Sequence, residues 1–464
     1  MPLRLDFANM MAATLGRAGI TTAQWEAAAE AFAAAHAGVA RRHASGQLGF
    51  IDLPDDAALL AQSTDFAARV AGRYDDVLVL GIGGSALGPI ALRTALRPTA
   101  WNLRTADQRS GLPRLTVLDN VDPVTIGETL ALLDLARTLV VVTSKSGGTV
   151  ETMAQYLIVR DALARVVGAE RVRDHLVFIT DPTAGALRPL AAAQGIPALD
   201  IPPNVGGRFS VMTPVGLLPA ALVGIDVRGL LDGARALRDR CASSTLAENP
   251  AGVFAVLQWL ADREHRANVQ VLMPYVDAFR DLGAWFVQLW AESLGKVRPD
   301  GTSVGPTPLG ALGATDQHSQ VQLFMEGPSD KTITFIGVAE RAAQGAIPVA
   351  ADDGPELAYL AGHSLAELID VEQRATAGAL AARGKMNMTL TVDRADAFAV
   401  GELMMCFALA TAYAGELYGV DAFNQPGVEL GKRYAYGMLG RTGYEAAKAE
   451  FAALPSGDAR WTVR

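Results

Sequence analysis

Two stretches of this chain place a run of apolar residues directly ahead of a loop of glycine and hydroxyl residues, and each loop opens into helical sequence. They are VLVLGIGGSALGPIALRTAL from Val77 and LVVVTSKSGGTVET from Leu139. A short unbroken apolar run bounded by glycine reads as a strand buried on both faces, which is the mark of a parallel sheet. A loop between such a strand and a helix presents unpaired backbone N–H groups at the positive end of the helix dipole, and so is built to hold an anion. In the second loop Ser144, Ser146 and Thr149 add hydroxyl donors and Lys145 adds a charge, with no acidic side chain before Glu151. That set suits a phosphomonoester. In the first loop Gly83, Gly84 and Ser85 repeat the design. Gly81, Gly83 and Ala86 also fit the dinucleotide-binding fingerprint, with Asp119 ending the next strand at a longer distance than that motif uses. Two hydroxyl-bearing loops facing one crevice suit a monophosphate better than a pyrophosphate.

The alternation continues along the chain, with apolar strand windows at Val77–Leu80, Leu115–Leu118, Leu139–Thr143, Leu176–Ile179 and Ala198–Asp200. A second set follows at Val269–Met273, Thr332–Val338 and Met386–Val392, with helical windows between. The pattern predicts an α/β chain with two doubly wound parallel-sheet domains, at 73–225 and 267–420. A helical N-terminal segment spans 1–72, a helical connector 226–266, and a helical C-terminal tail 421–464. The run from Lys296 to Asp316, rich in Gly and Pro, reads as a long loop of the kind that is usually functional. It delivers His318 to the opening of a helical window, where a helix N-terminus favours the neutral imidazole.

Composition narrows the chemistry. A net charge of −9 argues against broad nucleic-acid binding, so a phosphate must be met by local donors. The N-terminus lacks a cationic region followed by an apolar run, and no window is read as reaching the roughly 18 apolar residues of a membrane span. The expectation is a cytoplasmic protein with neither membrane nor nucleic-acid partners. Cys241 and Cys406 lie far apart without metal-ligand spacing, and read as core residues.

Acid–base candidates fall elsewhere. In FRDLGAWFVQLWAESLGKV, Gln288, Glu292 and Lys296 share one face of a helix whose flanking Trp285, Phe286, Leu289 and Trp290 bury it. A Glu–Lys pair supporting the helix surface is the plain reading. A carboxylate in the last turn, however, faces the negative end of the dipole, which disfavours its charge and suits a base that takes and returns a proton. Arg208 follows Gly206 and Gly207 directly, and Gln425 and Lys432 sit on glycine-rich sequence near the end of the chain.

Taken together, LGIGGSALGP, TSKSGGTVET, GGRFSVMTPVGL, AESLGK, GATDQHSQVQL and NQPGVELGK, in this order, resemble the phosphoglucose isomerase family. The resemblance covers about residues 77 to 437. It implies two sugar-isomerase domains of the flavodoxin-like kind, a homodimer with shared active sites, no cofactor and no metal, and interconversion of glucose 6-phosphate and fructose 6-phosphate. By position it implies a phosphate site at Ser85, Ser144, Lys145, Ser146 and Thr149, with Gly83 and Gly84 lining the first loop. Glu292 is implied as the base, and Arg208 as the cation that meets the enediolate. Gln288 and Gln425 are implied as positioning amides, Glu151 as an acid near the site, and His318 with Lys432 as the ring-opening pair. The chain departs from many family members at Ser146, Gly147, Gly148, Leu294 and Pro426, all wall positions. A sugar-phosphate-sensing regulator and a nicotinamide-dependent dehydrogenase are the competing readings at this point.

Overall fold

The computed structural model describes residues 2–342, 345–350, 352–455, 457 and 459–463. A short strand, β1 (Arg4–Asp6), opens the chain. The apolar runs then become β2 (Asp76–Leu80), β3 (Arg114–Leu118), β4 (Thr138–Thr143), β5 (Leu176–Thr180) and β6 (Ala198–Asp200). β2, β4 and β5 are buried at every residue, as unbroken apolar patterns require. These five strands are all parallel, in the order β3-β2-β4-β5-β6. The winding therefore reverses between β2 and β4. Leu80 stands opposite Val142, so the loops after these two strands leave the sheet side by side at the switch point where open α/β sheets bind ligands.

The second sheet is built from β7 (Val269–Pro274), β10 (Thr307–Gly310), β11 (Lys331–Val338) and β12 (Asn387–Val392), with a hairpin of β8 (Lys296–Val297) and β9 (Ser303–Val304) ahead of β10. Its order is β1-β12-β11-β7-β10, with β1 antiparallel to β12 and the rest parallel. The doubly wound α/β class expected from the sequence is observed, with three differences. The 1–72 segment is not helical throughout, because β1 closes the edge of the second sheet. The run 296–316 is not a plain loop, because it holds β8, β9 and β10. Pro308 hides the strand signal, and it is tolerated because β10 lies at the sheet edge. The third difference is Ala397–Tyr418, a helix long and apolar enough by length and composition to cross a membrane, where no such window was expected. Its apolar stretch is 94% buried inside the fold, which makes it a core helix. It packs on helices Val227–Arg240 and Pro250–His265, the latter lined by twelve buried residues, so this region is core as well as connection. Gly233 and Gly401 permit the contact, since a Cβ at either would fall 1.9 Å from a backbone oxygen of the facing helix.

The helix Arg280–Leu294 carries Gln288 and Glu292. It runs back along β7: Gly283 near its start approaches Gly310 at the end of β10, while Leu294 at its end meets Gly305 ahead of β10. Rings of Phe286 and Trp290 pack against Phe254 and Phe407, and the Trp290 indole N–H donates to the Gln270 amide oxygen at 2.6 Å. Glu292 thus sits on a helix anchored by buried aromatics. The chain divides into two compact units, Met1–Ala422 and Phe423–Arg464. The second holds helices Glu429–Met438 and Glu445–Ala452, joined by Tyr434 donating to Glu450 at 2.8 Å.

Candidate active site

After β2 the chain makes a single turn of 3-10 helix, Gly83–Ser85. Gly83 has φ +55°, and a Cβ there would lie 2.8 Å from the Gln288 side-chain nitrogen. A Cβ at Gly84 would lie 2.2 Å from the Gly207 carbonyl oxygen. These two glycines therefore let the first loop touch both the helix that bears Glu292 and the turn Gly207–Met212 that bears Arg208. After β4, the hydroxyls of Ser144 and Thr149 bond each other at 3.1 Å, and the Ser146 hydroxyl accepts from the Gly148 N–H at 3.3 Å. Thr149 is the N-cap of helix Val150–Val167, yet its side chain accepts no capping bond, so the first N–H groups of that helix receive no side-chain cap from it. Glu151 lies in this first turn. Lys145 differs from its expected role as a loop charge: its ammonium donates to the Pro203 and Val205 carbonyls at 2.7 and 2.9 Å, tying the loop to the segment after β6. Burial pushes this ammonium down from its usual range, opposed by Asp181.

The sequence did not reveal what Arg208 meets. Its guanidinium is buried and donates to the Glu292 carboxylate at 2.8 Å, to the Ser293 hydroxyl at 3.1 Å and to the Ala422 carbonyl at 3.0 Å. Gln288 donates to the other Glu292 oxygen at 3.2 Å. Burial lowers the Arg208 pKa, with Glu292 and Asp421 opposing. Lys296 does not form the expected pair with the Glu292 carboxylate. The helix stops at Leu294, and the Lys296 ammonium turns back onto the carbonyls of Glu292 and Ser293. Burial first, and repulsion from Arg208 second, push this ammonium down to about 8, against the pull of Asp421 and Glu292. Ser293 is the residue sequence reasoning passed over, and its position beside Glu292 in AESLGK was the available signal; Lys296 was read as a partner of the Glu292 side chain and meets its backbone carbonyl instead.

His318 is not at a helix N-terminus. It closes the 3-10 turn Thr315–Gln317, and the next helix, Val321–Glu326, begins three residues later with Gln320 as its N-cap. The residue is exposed, and its ring has no hydrogen-bond partner among the described residues. In the second unit, Gln425 precedes the turn Pro426–Val428, and the exposed Lys432 ammonium pairs with Glu429 at 2.8 Å. One chain thus brings together Gly83, Gly84, Ser85, Gln288, Glu292 and Arg208, and separately orders the loop of Ser144, Lys145, Ser146 and Thr149.

Fold and site together define a class: a two-sheet α/β protein of the sugar-isomerase type, with two glycine- and hydroxyl-bearing loops at one sheet's switch point and a Glu–Arg pair beside the first of them. The phosphoglucose isomerase family model matches residues 59–454, and the chain belongs to that family. It is 41% identical over 97% of its length, and 97% of the relative's, to glucose-6-phosphate isomerase of Carboxydothermus hydrogenoformans. It is 46% identical to that of Rubrobacter xylanophilus, with 86% of this chain and 90% of the relative covered. Among solved structures, a hypothetical protein of Thermus thermophilus superposes with a TM-score of 0.83 at 36% identity, covering 94% of this chain and 100% of that one. Glucose-6-phosphate isomerase of Chlamydia trachomatis shares the fold with a TM-score of 0.71 at 23% identity, over 86% of this chain and 76% of that one.

Proposed function

We propose that this chain catalyses the reversible isomerisation of glucose 6-phosphate and fructose 6-phosphate, the step shared by glycolysis and gluconeogenesis. The observation that carries the proposal is the Glu292 carboxylate held by Arg208 at 2.8 Å and Gln288 at 3.2 Å, on a helix touched by the Gly83 turn. A phosphate anchored by the Ser85 and Ser144–Thr149 loops spends remote binding energy on orienting the reacting carbons. In the open-chain aldose, Glu292 takes the proton on C2. The C–H electron pair becomes the C1–C2 double bond, and the charge arriving on the carbonyl oxygen is met by the preorganised Arg208 guanidinium. Return of the proton to C1, with the 2-hydroxyl proton passing to O1, leaves the ketose. His318 and Lys432 open the ring. Glu151 and Gln425 line the substrate. No metal or organic cofactor enters any step.

We infer a homodimer in which His318, exposed on its own chain, serves the site of the second copy, and a cytoplasmic location for the enzyme. The testing experiment is a coupled assay with fructose 6-phosphate in both wild type and Glu292→Gln. The variant should keep sugar-phosphate binding and lose both turnover and exchange of the C2 proton with solvent. The expected loss is about 10²- to 10⁴-fold. A variant that exchanges that proton at the wild-type rate would show that the base is another residue.

A further inference from the structure

The last turn of helix Arg280–Leu294 is gripped from two sides. Arg208 holds the side chains of Glu292 and Ser293, and Lys296 holds the carbonyls of the same two residues. We infer that Lys296 is a positioning residue for the isomerase reaction: by fixing the backbone of Glu292 and Ser293 against Arg208, it sets where the base meets the substrate.

Three features support this. Gly295, which follows the helix, has φ −69° and ψ 90°, so the helix lacks the left-handed glycine that commonly satisfies terminal carbonyls, and Lys296 does so instead. Lys296 is fixed in turn, because it pairs with Val304 in the β8–β9 hairpin, and Gly305 packs on the Leu294 carbonyl. A cation at a helix C-terminus also favours the dipole. Against these, holding the ion is costly. The charged groups facing it are Arg208 from the Gly207–Met212 turn, Asp421 from the segment after Ala397–Tyr418, and Glu292 on its own helix. Burial and Arg208 outweigh the two carboxylates and bring its deprotonation to about 8. Above that pH the charge-assisted grip on the carbonyls weakens, so turnover should fall on the alkaline side through Lys296, without loss of phosphate anchoring.

The inference rests on the isomerase reading, and two readouts separate the two claims. In steady-state kinetics, Lys296→Gln should lower kcat on the order of ten- to a hundred-fold, the scale of a sub-ångström to ångström misplacement, with KM for fructose 6-phosphate little changed. Lys296→Arg should restore most of kcat and move the alkaline fall to higher pH, since arginine stays charged. In hydrogen exchange followed by mass spectrometry, the peptide spanning the end of helix Arg280–Leu294 should exchange faster in Lys296→Gln than in wild type at the same pH. Wild-type kcat in Lys296→Gln would overturn the inference. So would an unmoved alkaline fall in Lys296→Arg, a variant that also serves if the glutamine form does not fold. A wild-type chain without isomerase activity but with the exchange difference would remove the isomerase reading and leave the grip on the helix end standing. An unchanged exchange pattern would remove the grip itself.

Discussion

Gly84→Ala isolates the contact on which the first loop and the Arg208 turn depend. The added Cβ would lie 2.2 Å from the Gly207 carbonyl oxygen, 2.5 Å from its carbonyl carbon and 3.0 Å from the Arg208 nitrogen. All three are backbone atoms, so no side chain can swing aside. Ordinary contact begins near 3.4 Å, and the two segments must separate by about 1 Å. Overpacking of this kind costs about 1–3 kcal/mol of stability, and an ångström of displacement at a reacting centre costs on the order of 10²-fold in rate. The sugar phosphate should still bind through the 144–149 loop, so the fall belongs mainly in kcat. Gly127→Ala is the contrast: nothing lies within 4 Å of its added Cβ, and in mid-helix the change should stabilise by about 0.5–1 kcal/mol. Thermal unfolding and steady-state assays of both variants decide the matter. If Gly84→Ala retains wild-type kcat and stability, the two segments yield freely, and the close approach does not position Arg208.

Other outcomes follow from the same geometry. Mixing Glu292→Gln and His318→Ala subunits under exchange should give hybrid dimers with activity on the closed-ring substrate above either parent; no recovery despite proven exchange would mean His318 serves its own chain. Activity should survive prolonged chelation with EDTA, because the implied groups are acid–base and anion-binding types, and loss restored by added zinc would refute this. Glu402 is buried in the Ala397–Tyr418 helix with both oxygens accepting from the Leu3 N–H at 3.1 and 3.2 Å, and burial raises its carboxyl above the usual 4.5. A raised folded pKa gives stability that is full below the unfolded value and lost as pH rises through the folded one. The thermal midpoint of wild type relative to Glu402→Gln should therefore be most favourable at acidic pH, where the carboxyl is protonated in both states, and decline as the pH rises above the usual carboxyl range; a difference that does not change with pH would contradict the burial argument.

How much was legible depends on how local the signal was. The β2 and β4 runs with their loops are contiguous in sequence, and their apolar patterns admit one kind of environment, so the two strands could be read within a residue of their ends. β10 was missed because its Gly and Pro content carries a turn signal that an edge position tolerates. β1 was missed because three residues show no period, and only pairing with β12 makes them a strand. Ala397–Tyr418 has a composition that fits a membrane or a core equally, and the glycine-mediated contact with Val227–Arg240 decides between them.

The site divides in the same way. Glycine, hydroxyl and lysine residues in one loop announce anion binding by their chemistry alone, whereas the direction of a side chain is set by what surrounds it. Lys145 turned to the Pro203 and Val205 carbonyls, which come from 58 and 60 residues away. Lys296 stands four residues after Glu292, a spacing that reads as an ion pair while the helix continues. The helix ends at Leu294, and the ammonium falls on carbonyls instead. Arg208 and Glu292 are separated by 84 residues, and no local rule joins them. Glu292 could be nominated from its place in the last turn of an apolar helix, whereas the family resemblance alone nominated Arg208. Their approach to 2.8 Å required two sheets, an anchored helix and a glycine turn to close on one another, and that is a property of packing alone.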